Sequence, residues 1–360
     1  MKIVLATGIF PPDIGGPATY VATLADELAA LGHDVTVVTY GQALPPRGSY
    51  RLCHVPKHGG PLRRWRRYAE ELKKVAEGAD VVEAFSSVSA GIPLVLSRLR
   101  GPKLVLRLGG DFPWERATDR GYGGSLRAWF TSSRPTAQLL APVLRRFDHL
   151  IFSTEFQREL YTRAYRDLPT SAVIENALPG GTPVPHALRR PARLLSFGRF
   201  VRFKNLPVLA RAMVQLYDCT LTFVGEGPDE ARIRAVLEAH PALHERVKLL
   251  PPAHGADKAK LFAEHDLLVV PSLTDISPNA ALEARSSGLP VLLTRETGLS
   301  ERLTKGMMLA DLQAPDQIAS AVRLALSRYD VLAAESATPP LSRPWSEVAA
   351  DHIALFSRLQ

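Results

Sequence analysis

The sequence predicts an α/β protein made of two doubly wound, parallel-sheet domains. Three observations lead there. The chain has 360 residues, too many for one ordinary hydrophobic core. Short runs rich in Val, Ile and Leu alternate with longer amphipathic stretches along its whole length. Those runs are apolar throughout, as expected of strands covered on both faces.

In chain order, the first half offers KIVLA, DVTVVTY, YRLCHV, DVVEAF, KLVLRL and DHLIFS as strands. The second offers SAVI, RLLSFG, LTFVG, VKLL, DLLVVPS, LPVLLT and GMML. With helical segments between them, each half reads as a doubly wound α/β unit. Pro and Gly cluster in ENALPGGTPVPHALRRPARL, where periodicity is lost and the domain boundary is expected. The last segment, RPWSEVAADHIALFSRL, reads as a helix opened by Pro344 and N-capped by Ser346. Two such units should face a central cleft with the carboxyl ends of their strands, where open α/β sheets bind ligands.

Composition narrows the class. At 46% hydrophobic and 22% charged residues the chain reads as an ordinary soluble enzyme. No apolar run approaches the ~18–20 residues of a membrane span. The opening MKIVLATGIFPPD is too short in its apolar part for a signal peptide and reads as a first strand. Cys53 and Cys219 are too few for a disulfide framework or a zinc site, which suits a reducing cytoplasm. Of the net charge of +8, residues 1–180 carry 23 Lys/Arg against 17 Asp/Glu, and 47–74 alone carry nine against two. That imbalance predicts an anionic partner for the first half.

Four segments carry chemistry. In GIFPPDIGGPATY, Gly15 and Gly16 let backbone approach a ligand, and Pro17 suits the first turn of a helix whose N-terminus favours anions. A plain strand-to-helix turn fits the same residues. The loop is not G-x-G-x-x-G, which argues against a nicotinamide enzyme. In SFGRFVRFKN, Arg199, Lys204 and Asn205 follow a strand end, and the two cations are placed to converge on a diphosphate or simply to be solvated. In LTFVGEGPDE, Gly225, Gly227 and Pro228 turn the chain sharply after a strand. In SLTDISPNAALEA, Ser277 is expected to cap a helix starting at Pro278, whose first N–H groups at Asn279 and Ala280 favour a phosphate. Glu283 then sits among Ala and Leu, needing donors that ribose hydroxyls, a nearby backbone or Arg285 would supply.

Together these segments resemble, over nearly the full length, the retaining family-4 glycosyltransferases (glycosyl transferases group 1) of the GT-B fold. The match rests on the glycine-rich first loop, on GRFVRFKN for G-R-x4-K-N, on GEGP, and on DISPNAALEARSSGLPV for the E-x7-E motif. Asp275 stands where the first acid of that motif is usually Glu, one methylene longer. The closing PWSEVAADHIALF resembles the helix that crosses back onto the first domain.

The resemblance implies residues 1–180 as an acceptor-binding Rossmann-like domain, 190–340 as a nucleotide-sugar-binding one, and 341–360 as the returning helix. It implies that Arg199 and Lys204 neutralise the donor diphosphate, with backbone at Gly15 and Gly16 completing the cradle. Glu283 would hold the ribose, backbone near Leu250 the base, and Asp275, Ser277, Pro278 and Asn279 the sugar and phosphates, with Asn205 and Gly225 beside them. Fixed positive charge at a leaving diphosphate stabilises the transition state. Such a site works without a metal or other cofactor, and no D-x-D pair is present to hold one. The donor is expected to be a UDP-, GDP- or other nucleotide sugar and the acceptor a hydroxyl of a glycan, glycolipid or lipid-linked precursor. Many relatives carry a His in the first domain. Here Gly109, Gly110 and Asp111 occupy that place, and Asp111 is either the polar group near the sugar or a turn cap.

The run PLRRWRRYAEELKK, residues 61–74, fits an interfacial helix on anionic membrane lipids at the inner face, or a solvated helix with locally paired charges. Nucleic acid is not expected, since no recognition motif accompanies the charge. Two other readings share the scaffold: a non-catalytic nucleotide-sugar-binding protein, and a sugar-nucleotide epimerase or phosphorylase.

Overall fold

The computed structural model describes residues 1–13, 15–41, 48–132, 138–178, 180–339 and 342–360. Ile14 of the glycine-rich loop, Arg47 of the basic stretch and Pro179 of the expected linker lie outside the described residues.

The chain forms two compact units. The first comprises 1–113, 129–177 and 343–360, and the second 114–128 and 178–342. The short excursion of 114–128 into the second unit has no counterpart in the sequence reading, which counts it with the first. It is held there by Trp114, whose ring lies 5.5 Å from that of Phe203, and by the Leu126 N–H, which donates to Thr274 Oγ1 at 2.9 Å.

In the first unit the strands are β1 (Lys2–Ala6), β2 (Asp34–Tyr40), β3 (Arg51–Val55), β4 (Val81–Ala84), β5 (Lys103–Leu108), β6 (His149–Phe152) and β7 (Thr170–Val173). They form one parallel sheet in the order β3-β2-β1-β4-β5-β6-β7. The run SAVI therefore belongs to this sheet as β7, paired to β6, and not to the second half. Its hydrogen-bonding edge decides the matter; an apolar run carries no record of which sheet it will join. Ile3, Leu5, Val37, Val81, Val105 and Ile151 form the core on one face with the helix Gly16–Ala30.

That face also takes the helix Trp345–Leu359, which packs against Gly16–Ala30 through Val348, Ala349, Leu355 and Phe356. It starts at Trp345 with Pro344 in the cap position, so Ser346 lies inside the first turn and not at the cap. Beneath it, His352 Nε2 faces Glu83 Oε1 at 3.3 Å with both side chains fully buried. Nδ1 of His352 is within hydrogen-bond distance of the Val348 carbonyl, 2.8 Å, a bond that only its N–H can make.

The second unit holds β8 (Ala192–Phe197), β9 (Cys219–Val224), β10 (Val247–Leu250), β11 (Leu267–Val270), β12 (Val291–Thr294) and β13 (Met307–Ala310). They order as β10-β9-β8-β11-β12-β13, all parallel. In both sheets the chain first winds outward one way and then returns to wind the other, so each has a switch point: β1/β4 in the first and β8/β11 in the second. Loops leaving the carboxyl ends of those neighbouring strands diverge to opposite faces, and a crevice opens between them.

Candidate active site

The second unit's switch point holds a narrow pocket of about 20 Å³. Its walls are the exit of β8 (Ser196, Phe197, Gly198, Arg199) and the exit of β11 (Val270, Pro271, Ser272). Lys204 and Asp275 close it.

Lys204 ends a short 3-10 turn, Arg202–Lys204. Its Nζ lies 2.6 Å from Asp275 Oδ2, and Ser272 Oγ donates to the same oxygen at 3.0 Å. Asp275 is 6% exposed and its backbone is pinned on both sides. Its N–H donates to Glu296 O at 2.9 Å, while its own carbonyl accepts from Gly298 N and Thr297 Oγ1. The carboxylate is thus fixed in place and compensated by an ammonium, as a buried charge must be. Arg199 is exposed beside them and has no carboxylate partner among the described residues. The pocket therefore presents one unpaired guanidinium and one paired ammonium.

The loops are held by close backbone packing. A Cβ at Gly225 would stand 2.0 Å from the Gly198 carbonyl oxygen, and one at Gly227 would stand 2.4 Å from that of Phe200. Both have strongly positive φ, 147° and 150°. With no side chain in the way, Phe200 N donates to Glu226 O at 2.7 Å and Asp229 N to Phe200 O at 2.9 Å. The G-x-G-P turn therefore zips the β9 exit onto the β8 exit and fixes where Arg199 and Lys204 start. Gly225, expected beside the sugar and phosphates, packs closely against the chain itself.

Asn205 also turns out to carry structure. It sits at φ 58°, a left-handed position that Asn tolerates better than most residues, and is 8% exposed. Its Nδ2 donates to Leu312 O at 3.1 Å, away from solvent. Leu250 ends β10 and is exposed; its carbonyl accepts from Gly225 N at 3.0 Å.

The helix after Asp275 runs Asn279–Ser286, one residue later than expected. Pro278 takes the cap position with ψ 85°, outside the helical range, and Ser277 lies before it. Ala280, in the first turn, lines the pocket. Glu283 is half-exposed, not buried, and neither expected protein partner holds it. Arg285 is instead committed to the carbonyls of Lys305, Ser336 and Thr338. Glu283 pairs with Lys258, from the helix Gly255–Glu264, and Lys258 Nζ lies 4.7 Å from the centroid of the Phe197 ring. Lys258 is the residue the sequence reading missed. Nothing in its spacing ties it to a carboxylate 25 positions on.

In the first unit, Gly15 caps the helix Gly16–Ala30 and its Cβ position touches Ile9 Cδ1 at 3.0 Å. Asp111 is 1% exposed and accepts a hydrogen bond from Tyr161 Oη at 2.7 Å. Burial, reinforced by Asp111, pushes the neighbouring Tyr165 hydroxyl well above its usual range. Among the described residues no group of His, Cys, Asp and Glu is arranged to hold a metal ion.

Residues 15–177 match the family description "Glycosyl transferase 4-like domain", and 191–328 match "Glycosyl transferases group 1". The two matches follow one another along most of the chain. The chain belongs to glycosyltransferase family 4 and has the GT-B fold. This family-4 enzyme is 26% identical over 337 residues to the D-inositol 3-phosphate glycosyltransferase of Arthrobacter sp. strain FB24, covering 82% of this chain and 77% of that one. Its fold is shared by sucrose-phosphate synthase from Thermosynechococcus elongatus, at TM-score 0.80 and 18% identity, over 100% of this chain and 99% of that one. It is also shared by Anabaena HepE in complex with UDP and glucose, at TM-score 0.73 and 16% identity, over 99% and 100% of the two chains.

Proposed function

We propose that this glycosyltransferase moves a hexose from a nucleoside-diphosphate sugar to a hydroxyl acceptor, with retention and without a divalent metal. The observation that carries the reading is the pocket at the β8/β11 switch point, where Arg199 stands unpaired beside the Lys204–Asp275 pair. A diphosphate entering there meets a guanidinium that binds two oxygens and an ammonium that Asp275 holds in place. Residues 190–340 would take the donor, with Glu283 on the ribose hydroxyls, and residues 1–180 the acceptor.

In the reaction the bond from the sugar anomeric carbon to the diphosphate breaks as the acceptor oxygen bonds to the same face. The acceptor proton passes to the departing phosphate. Charge develops on that phosphate, and Arg199 and Lys204 are the groups fixed where it develops. UDP is the first nucleotide to try, because the HepE structure is described with UDP and glucose. An inositol phosphate is the first acceptor to try, because the Arthrobacter relative is named for one.

A peripheral membrane role rests on a separate observation. The helix Pro61–Val75 carries Arg63, Arg64, Arg66 and Arg67 in its first half, and Leu62 is 76% exposed. Of these arginines only Arg66 has a carboxylate partner among the described residues, Glu70 at 2.9 Å. No helix among the described residues is long and apolar enough to cross a membrane.

The test is a thermal-shift titration with UDP, GDP, ADP and dTDP, each with and without EDTA, followed by sugar transfer from the matching donor and NMR of the product's anomeric proton. A nucleotide at ~100 times its dissociation constant should stabilise the fold by ~2.7 kcal/mol. Stabilisation that survives EDTA, and an unchanged anomeric configuration, are expected. Inversion, or a strict need for metal, would overturn the mechanism; tight binding with no transfer from any donor would favour the non-catalytic reading.

A further inference from the structure

A second, larger cavity of about 420 Å³ lies at the opposite end of the second sheet, where β8, β9 and β10 begin. The register explains it. Arg193 pairs with Thr220, and Thr222 with both Leu195 and Lys248, so these side chains share one face. On the other face Leu194, Leu221 and Val247 are buried in the core. The helix Gly255–Glu264 covers only the far half of the polar face, packing Phe262 with Leu195 and Val224. Its last turn stops short, and His265 Nε2 lies 3.0 Å from Thr222 Oγ1. The near half is left as a concave floor bearing Arg193, Thr220, Thr222 and Lys248, walled by Arg189–Pro191.

The charge of this cavity is one-sided. Arg189 is committed to Asp266 at 2.6 Å, and Arg246 to the carbonyls of Met213 and Leu216. Arg190, Arg193 and Lys248 are exposed and have no carboxylate partner among the described residues. Glu245 and Glu264 also line it, leaving the lining net positive. Exposed like charges on one floor repel, and an anion bridging them would relieve that repulsion. The volume falls in the range of small-molecule sites, which speaks for a compact ligand and not for a flat macromolecular contact.

We propose that this cavity is a second anion site, for a small phosphorylated molecule held by Arg190, Arg193 and Lys248. It is separate from the donor pocket: Arg193 and Phe197 stand four residues apart on β8, about 13 Å. The two sites are thus at opposite ends of β8, and both can be occupied at once.

Calorimetric titration of the full chain with inorganic pyrophosphate tests this, using wild type, R199A/K204A and R193E/K248E. Wild type should show two sites. R199A/K204A should keep one, and R193E/K248E should keep the other with its dissociation constant unchanged. For the lost site, a weakening of about tenfold or more is expected. R190A and K248A alone, at exposed positions, should each weaken the same site if the double variant fails to fold. A pyrophosphate isotherm unaltered in R193E/K248E overturns the proposal. So does loss of binding to phosphatidylglycerol vesicles in that variant while pyrophosphate binding is retained, since the face would then serve a lipid surface.

Discussion

The Lys204 ammonium lies 2.6 Å from the Asp275 carboxylate, in a pocket whose other cation, Arg199, has no carboxylate partner among the described residues. Lys204 is thus ordered before any ligand arrives, which lowers the entropy lost on binding. Lys204→Ala removes a cation at the leaving phosphate and should lower kcat by about 10²–10³. Asp275→Ala leaves the ammonium 23% exposed with no counter-charge and should destabilise the fold by about 2 kcal/mol in urea. If Asp275→Ala is as stable as wild type, Asp275 does not hold Lys204 in solution.

Glu283 and Lys258 make a second pair against the Phe197 ring. If Glu283 reads the ribose, Glu283→Ala should weaken the donor nucleotide about 10–100-fold, the range for hydrogen bonds to a charged group. The decisive comparison is between ribo- and 2′,3′-dideoxy nucleotides. Wild type should discriminate between them, and Glu283→Ala should not. Lys258→Ala should fall between the two, since it loosens the carboxylate without deleting it.

Gly225→Ala tests the loop zipper. The added methyl would press on the Gly198 carbonyl at 2.0 Å, at a φ of 147° that L-residues avoid. A loss of about 3 kcal/mol or more is expected, with activity lost through displacement of Arg199. A variant that melts with wild type would show that the two exits are not packed as described.

Histidines whose imidazole pKa burial lowers, His33, His54, His149, His186 and His265, set a pH dependence. The folded chain keeps them neutral where the unfolded chain protonates. With more protons bound by the unfolded state, stability should fall as pH drops below ~6.5 and through the lowered folded values. His265→Asn should remove its own share of that slope in pH-dependent urea titrations. An equal slope in wild type and variant would assign the dependence elsewhere.

Much of the fold was legible because apolar runs and helical periods are local. The thirteen runs correspond to the thirteen strands among the described residues, and SAVI, grouped with the runs of the second half, joins the first sheet. Cap positions were less legible: Ser277 and Ser346 are good cap residues by type, yet Pro278 and Pro344 occupy the caps. Proline restricts φ and lacks an N–H, which suits it to a helix entrance at either of two adjacent positions, so type alone leaves the start open by one residue.

The sequence by itself determined the two doubly wound units, the family, and the identity of the charged residues leaving β8 and β11. Those follow from periodicity and from motif spacing, which are properties of neighbouring positions. Tertiary structure alone decided who pairs with whom. Lys204 meets Asp275 71 positions away and Lys258 meets Glu283 25 positions away, because parallel strands bring distant loop ends to one sheet edge. It also decided that Asn205 and Gly225 support the loops, and that one half-face of β8–β10 is left bare and basic. Electrostatic partnership depends on distance in space, and spacing along a chain fixes that only within a single helix or strand.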